Sequence, residues 1–195
     1  MRKKQLDNNY FTCVLRITSN IFWGNYLKKL QIKKINLKKI AIFGNSGSGK
    51  STLAQKLCAN NNLAHLDLDS IAWQQSEIPE RKPIAESEVE INKFINAHQG
   101  WVIEGCYSDL LEIALKHTTE IIFLNLPIEA CISNAKRRPW EPHKYPSKEA
   151  QDNNLNMLID WIKEYENRTD TFSKSAHESL FNSFDGIKFI YTSNN

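Results

Sequence analysis

The sequence predicts an α/β domain in which a doubly wound parallel sheet is covered by helices on both faces, a three-layer arrangement. Short, continuously apolar runs alternate along the chain with longer segments of helical pattern, which is how strands joined by crossover helices read. The first run ends in a glycine-rich turn that opens directly into a helical stretch. The chain has 195 residues, 41% of them hydrophobic, with 7 Gly and 6 Pro. That supplies the core of one domain of ordinary size and excludes collagenous, fibrous and wholly disordered classes.

Taken in order, Ile40 to Phe43 is the first strand, its unbroken apolarity that of a central strand covered on both sides. A helix should run from about Lys50 to Ala59, with Leu53 and Leu57 one turn apart on its inner face and Asn60, Asn61 and Asn62 closing it. Further strands are expected at Ala64 to Leu68, Trp101 to Ile103, Ile121 to Leu126 and Ile187 to Tyr191. The helical segments between them are about Glu86 to Ala97, Leu110 to Lys116, Ile128 to Lys136 and Ala150 to Asn167. No internal repeat is visible.

Charge is divided unevenly along the chain. Residues 1–39 carry ten Lys or Arg against one acid, Asp7, while residues 40–195 carry 15 basic and 21 acidic residues, so the net +3 is a basic extension on an acidic body. Residues 1–38 show no sustained period. They form either a basic arm for nucleic acid or an anionic membrane, or a plain accessory extension. Cys13, Cys58, Cys106 and Cys131 have no C-x-x-C spacing and no neighbouring His pair, so they read as free thiols in a reducing cytoplasm. No stretch reaches the length of a membrane span.

Gly44-Asn-Ser-Gly-Ser-Gly-Lys-Ser51 has the spacing G-x-x-x-x-G-K-[ST] and sits between an apolar strand and a helix, where a phosphate loop must sit. Gly44, Gly47 and Gly49 let the backbone curl so that amides around Asn45, Ser46 and Ser48 face phosphate oxygens, and the new helix adds its N-terminal dipole. Lys50 is the β,γ-phosphate lysine, Ser51 the Mg²⁺ ligand, and Thr52 a further hydroxyl for phosphate. The expected ligands are therefore ATP and Mg²⁺. No N-K-x-D motif for reading guanine is present.

In an open parallel sheet, ligands bind beyond the carboxyl ends of the strands. The second strand ends in Asp67-Leu-Asp69, where one carboxylate could order the Mg²⁺ shell and the other take a substrate hydroxyl or its proton, or Asp69 could simply cap the segment from Ser70. The third strand ends in Glu104-Gly105, a candidate metal-organising acid followed by a residue that lets a substrate approach. Asn125-Leu-Pro127 ends the fourth strand and offers no acid.

A proline-rich stretch from Lys136 to Pro146 reads as a lid, about residues 136–149, whose Arg137 and Arg138 bring positive charge to a transferring phosphoryl group. His143 within it reads as a lid or surface residue. A segment of about residues 70–98, with Trp73 and Arg81, would cover the acceptor. Arg168 extends the stripe Leu158, Ile162 and Tyr165, so it should pair with a buried acid or reach the site, whereas Leu155, Met157, Trp161 and Phe172 read as packing.

Together the phosphate loop, Asp67-x-Asp69, Glu104-Gly105, Asn125-Leu-Pro127, Arg137-Arg138 and Arg168-x-Asp170 resemble the adenylate kinase and shikimate kinase group of phosphate-loop kinases. Within it the likeness is greatest to the adenylate kinase-like ATPases called DNA topology modulation proteins. The resemblance spans about residues 39 to 193. It implies a five-stranded parallel sheet in the order 2-3-1-4-5, Mg-ATP as phosphoryl donor, a mobile lid, Arg137 or Arg138 as lid arginine, and Arg168 as the arginine contacting both substrates. Glu104-Gly-Cys-Tyr-Ser108 stands where adenylate kinases have Asp-Gly-Phe-Pro-Arg and shikimate kinases a triple-glycine loop, so neither acceptor is specified. The sequence thus reads as an ATP-dependent phosphotransferase with a small acceptor, or alternatively as a nucleic-acid-associated ATPase or regulatory ATP-binding module docking through its basic arm.

Overall fold

A computed structural model describes residues 38–74, 79–142 and 144–193; the expectations for the basic extension, for Cys13 and for His143 lie outside these residues. Strand β1 (Lys39–Gly44) leads into α1 (Lys50–Asn61), followed by β2 (Ala64–Asp67), a single turn α2 (Asp69–Ala72) and α3 (Ile84–Ala97). Next come β3 (Trp101–Gly105), α4 (Ser108–Leu115), β4 (Glu120–Leu124), α5 (Ile128–Arg137), α6 (Lys148–Asn153), α7 (Leu155–Lys163), α8 (Lys174–Ser183) and β5 (Ile187–Tyr191). The strands form one all-parallel sheet in the order β2-β3-β1-β4-β5, the order that the family resemblance implied.

Period-two alternation sorts the central strands onto two cores. Ala41 and Phe43 of β1, Trp101 and Ile103 of β3, and Ile121 and Phe123 of β4 face one side, where Ile91, Leu110, Leu111 and Leu180 of α3, α4 and α8 cover them. Ile40, Ile42, Val102, Ile122 and Leu124 face the other, under Ala54 of α1, Cys131 and Ala135 of α5, and Ile162 of α7. This double burial explains the unbroken apolar run of β1, and the Phe43 and Phe123 rings stack at 5.2 Å between centroids. Each such side chain contributes about 1.5–3 kcal/mol on leaving water. Strand β5 differs: all five of its residues are exposed, as befits a sheet edge.

Several boundaries depart from the sequence expectations for local reasons. Helix α1 runs two residues further and stops at Asn62, whose φ of 53° lets its N–H close on the Cys58 carbonyl. The single helix expected over residues 150–167 is broken. Ser147 caps α6 by accepting from Ala150 N at 3.0 Å, and Asn154 ends it, its side-chain amide donating to the Tyr145 hydroxyl at 3.0 Å. Met157, read as a packing residue, is 65% exposed. Helix α8 carried too weak an apolar period to be called; its start is a Ser173 cap accepting from Ala176 N at 3.1 Å.

Helix α8 also places His177, fully buried, against Phe43 and Phe123. Its Nε2 lies 3.0 Å from the Cys106 carbonyl, so it carries the proton, and Nδ1 then accepts from the Tyr165 hydroxyl at 2.7 Å. Burial holds this imidazole neutral and pushes its pKa down to about 4. A depressed histidine contributes stability that is complete above the unfolded value near 6.5 and is lost as pH falls from there through about 4. We therefore expect urea unfolding to show roughly 3 kcal/mol of stability lost across that window. His177→Asn, which keeps a polar group but cannot titrate, should flatten the dependence; an equally steep profile in that variant would contradict the assignment.

Candidate functional site

The loop leaving β1 is a tight cradle because two of its positions have no room for a side chain. A Cβ on Gly44 would collide with the backbone carbonyl of Leu124, and one on Gly47, at a φ of 74°, with the carbonyl of Cys131. Helix α5 therefore presses against the loop, and it adds a clamp, since Asn134 Nδ2 donates to the Gly47 carbonyl at 2.9 Å. From α7, the Ile162 carbonyl accepts from buried Asn45 Nδ2 at 3.1 Å. Ser46, Gly49, Ser51 and Thr52 complete the curve into α1, whose N-terminal residue is Lys50. Lys50 Nζ rests on the Gly44 and Asn45 carbonyls at 3.3 and 3.0 Å, folded over the mouth of the loop.

Beside the loop, β2 and β3 bring acids together. Asp67 and Glu104 are register partners at the ends of adjacent strands. Glu104 is 1% exposed, and among the described residues its Oε1 has no hydrogen-bond partner, with His65 Nε2 3.6 Å away. Asp67 Oδ1 accepts from the Asp69 amide at 2.9 Å. Asp69 is therefore not the cap: it is the first residue of α2, the cap residue is Leu68, and Asp67 precedes it. Asp69 Oδ1 accepts from the Tyr107 hydroxyl at 2.6 Å, and that oxygen in turn accepts from Trp73 Nε1 at 2.7 Å. Lys144 then spans both acids, 2.9 Å from Asp69 Oδ2 and 3.2 Å from Asp67 Oδ2.

These contacts set the charges. Burial, with the negative charges of Glu104 and Asp69, raises the Asp67 pKa despite Lys144. Burial pushes Asp69 the same way, but Lys144 and the Tyr107 hydroxyl outweigh it and hold Asp69 below the usual carboxylate range. For Lys144 burial works against the ammonium, and the two carboxylates more than reverse it. Cys106, in the next turn, is pushed up to about 12 by burial and remains a thiol.

The predicted arginines are not gathered at the acids. Arg137 lies back on its own helix, Nε to the Ser133 carbonyl at 3.3 Å and a guanidinium nitrogen 3.5 Å from Asn134 Oδ1, next to the loop clamp. Arg138 pairs with Glu141 at 3.0 Å and donates to the Tyr145 hydroxyl at 3.3 Å. Arg168 pairs with the half-exposed Asp170 at 2.6 Å and stacks on the Trp161 ring at 3.6 Å. Trp161, expected to be mere packing, is thus a platform for a charge. Arg81 pairs with Asp109 at 3.1 Å and lies over the Tyr107 and Phe172 rings at 4.8 and 5.4 Å. The space above Gly105 is taken by Leu68 and Tyr107 rather than left for a substrate, since a Cβ there would stand 2.9 Å from Leu68 Cβ.

The residues fit a divalent cation through the unpartnered Glu104 oxygen beside Asp67, both hard donors, with Ser51 at the start of α1. No three His, Cys, Asp or Glu among the described residues form a metal cluster by themselves, so phosphate oxygens and water would supply the other ligands. No helix among the described residues is long and apolar enough to cross a membrane.

The chain is similar to the uncharacterized protein YqaC of Bacillus subtilis (strain 168), 24% identical over 149 residues, 72% of this chain and 80% of that one. Among solved structures it is similar to deoxyadenosine kinase from M. mycoides with bound dATP, 15% identical with a TM-score of 0.42 over 79% of this chain and 90% of that one. It is also similar to shikimate kinase from Bacteroides thetaiotaomicron, 15% identical with a TM-score of 0.44 over 80% and 86%. A family model described as "AAA domain" matches residues 40–157, from the first buried residue of β1 through the loop, the acids and the proline-rich strap into α7. The chain therefore belongs to the AAA domain family, built on the phosphate-loop fold.

Proposed function

We propose that the protein is a Mg-ATP-dependent phosphotransferase that moves the γ-phosphoryl group of ATP to a small acceptor, in the manner of the adenylate and shikimate kinase group. The sequence likeness to the DNA topology modulation proteins within that group is part of this same proposal. The observation that carries the reading is the juxtaposition of a complete phosphate cradle with a carboxylate pair at one edge of the sheet. Lys50 and the Asp69 carboxylate approach closely enough for the lysine to help hold Asp69 ionised.

In this reading the loop amides and the N-terminus of α1 receive the β- and γ-phosphates. Lys50 now donates to two neutral carbonyls, and exchanging these for anionic phosphate oxygens gives stronger, charge-assisted bonds. Mg²⁺, when bound, would offset the charge of the phosphate oxygens, and Ser51, Asp67 and Glu104 would hold it. Asp69, ionised at neutral pH, orients the acceptor hydroxyl and takes its proton as the bond to phosphorus forms. Tyr107 and Trp73 fix the carboxylate's direction. Arg137, Arg138 and Arg168 lie on partners away from the acids in the free protein, and in this reading they supply positive charge to the phosphoryl group once Lys144 has left the acids and the strap has resettled on bound substrates.

The test is ADP release from Mg-ATP with a panel of nucleoside monophosphates, shikimate and other polyols, and duplex DNA. A small hydroxylated or phosphorylated compound should stimulate release; stimulation by DNA alone would overturn the reading in favour of a nucleic-acid-associated ATPase. With the stimulating compound in hand, Asp69→Asn should lower kcat by about 10²–10⁴-fold. Mg-ATP affinity should stay within about twofold, and an unchanged kcat would remove Asp69 from the chemistry.

A further inference from the structure

The strap between α5 and α6 is built around Tyr145 rather than around the rest of the domain. Arg138 and Asn154 both reach the Tyr145 hydroxyl, Trp140 Nε1 donates to the Tyr145 carbonyl at 3.1 Å, and the Arg138 guanidinium lies 5.5 Å from the ring centroid. Gln151 of α6 ties the other side, accepting from Glu141 N at 2.9 Å and donating to the Pro139 carbonyl at 3.1 Å. All these bonds lie within residues 138–154. Among the described residues one charged side chain leaves this unit for the sheet edge, and it is Lys144, seated on Asp67 and Asp69.

We propose that Lys144 is an autoinhibitory latch: its ammonium holds the strap shut across the carboxylate pair and must leave before a substrate can use Asp69. This rests on the reading of Asp69 as the acceptor-facing carboxylate and adds a regulation of the same site. The geometry requires the displacement. Oδ1 of Asp69 is occupied by the Tyr107 hydroxyl, which Trp73 holds in turn, so Oδ2 is the oxygen left for an acceptor hydroxyl, and Lys144 sits on it at 2.9 Å. The ammonium also stands where two closely spaced acids call for a cation, making it a tethered competitor for whatever positive charge substrates bring. Both partners are partly exposed, Lys144 by 25% and Asp69 by 43%, so the latch is weak enough to be displaced.

The test is chymotrypsin cleavage of the substrate-free full chain after Trp140, the Tyr145–Pro146 bond being resistant, followed by mass spectrometry. Lys144→Met should be cleaved there about fivefold faster than wild type, the scale of two partly exposed ion pairs. Asp69→Asn should move the same way, and Lys144→Glu combined with Asp69→Lys should bring the rate back towards wild type. Wild-type cleavage in both single variants would overturn the latch. This readout needs no turnover: faster strap cleavage in a protein that transfers phosphate to nothing would sink the kinase reading and leave the latch, and active transfer with unchanged cleavage would do the reverse.

Discussion

Gly44 has no side chain because the Leu124 carbonyl of the neighbouring strand already fills the place where one would begin. The close approach of β1 and β4 at that point sets the geometry of the whole nucleotide end. It lets the chain leave the sheet flat against β4 and turn at Gly47 under the carbonyl of Cys131. The turn then enters α1 with its amide groups still unsatisfied. The cradle's walls are main-chain carbonyls, those of Cys131 on α5, Ile162 on α7 and Leu124 on β4, with the Asn134 side chain as an added clamp. Beneath it, the stacked Phe43 and Phe123 rings and the buried His177 leave the floor no freedom to subside.

Next to this fixed backbone lies a cluster whose order is electrostatic. Asp67, Asp69 and Glu104 crowd one edge, and unopposed like charges at such spacing repel by amounts on the order of 1–4 kcal/mol per pair. Two devices relieve this. Asp67 is pushed towards its neutral form by burial and its acidic neighbours, and Lys144 neutralises what remains. Asp67, one of the acids proposed to hold a cation beside bound phosphate, is thus held by the protein's own cation in the free protein. If Lys144 is the proposed latch, a site of this kind has two states, and its occupancy decides where the strap sits.

Much of the frame was legible in the sequence because it depends on period and spacing. The apolar run Ile40 to Phe43, the glycines of the loop and the acids at strand ends are each dictated by local backbone requirements, and the five strands fall where their apolar runs fall. What escaped were features decided by contacts far apart in the chain. Lys144 is one cation among several in a proline-rich stretch, and nothing nearby marks it as the residue that meets Asp69, 75 positions away. Trp73 reads only as part of a segment covering the acceptor, and Tyr107 as a residue past a strand end, until their polar tips are seen in line with Asp69. Arg168 could be flagged as an arginine that needs a partner, but its partners, Asp170 and the face of Trp161, depend on how the chain turns after α7. The break at Asn154 is of the same kind, for its side chain is drawn to Tyr145 rather than to its own helix.

The most direct test of the account is calorimetric titration of Mg-ATP into the full-length protein and into Lys50→Ala. We expect one site per chain, with affinity reduced at least tenfold in the variant and thermal unfolding little changed, because among the described residues the Lys50 ammonium donates to loop carbonyls alone. A wild-type protein that does not bind Mg-ATP, or a variant that binds it equally well, would contradict the assignment of the loop as the nucleotide site.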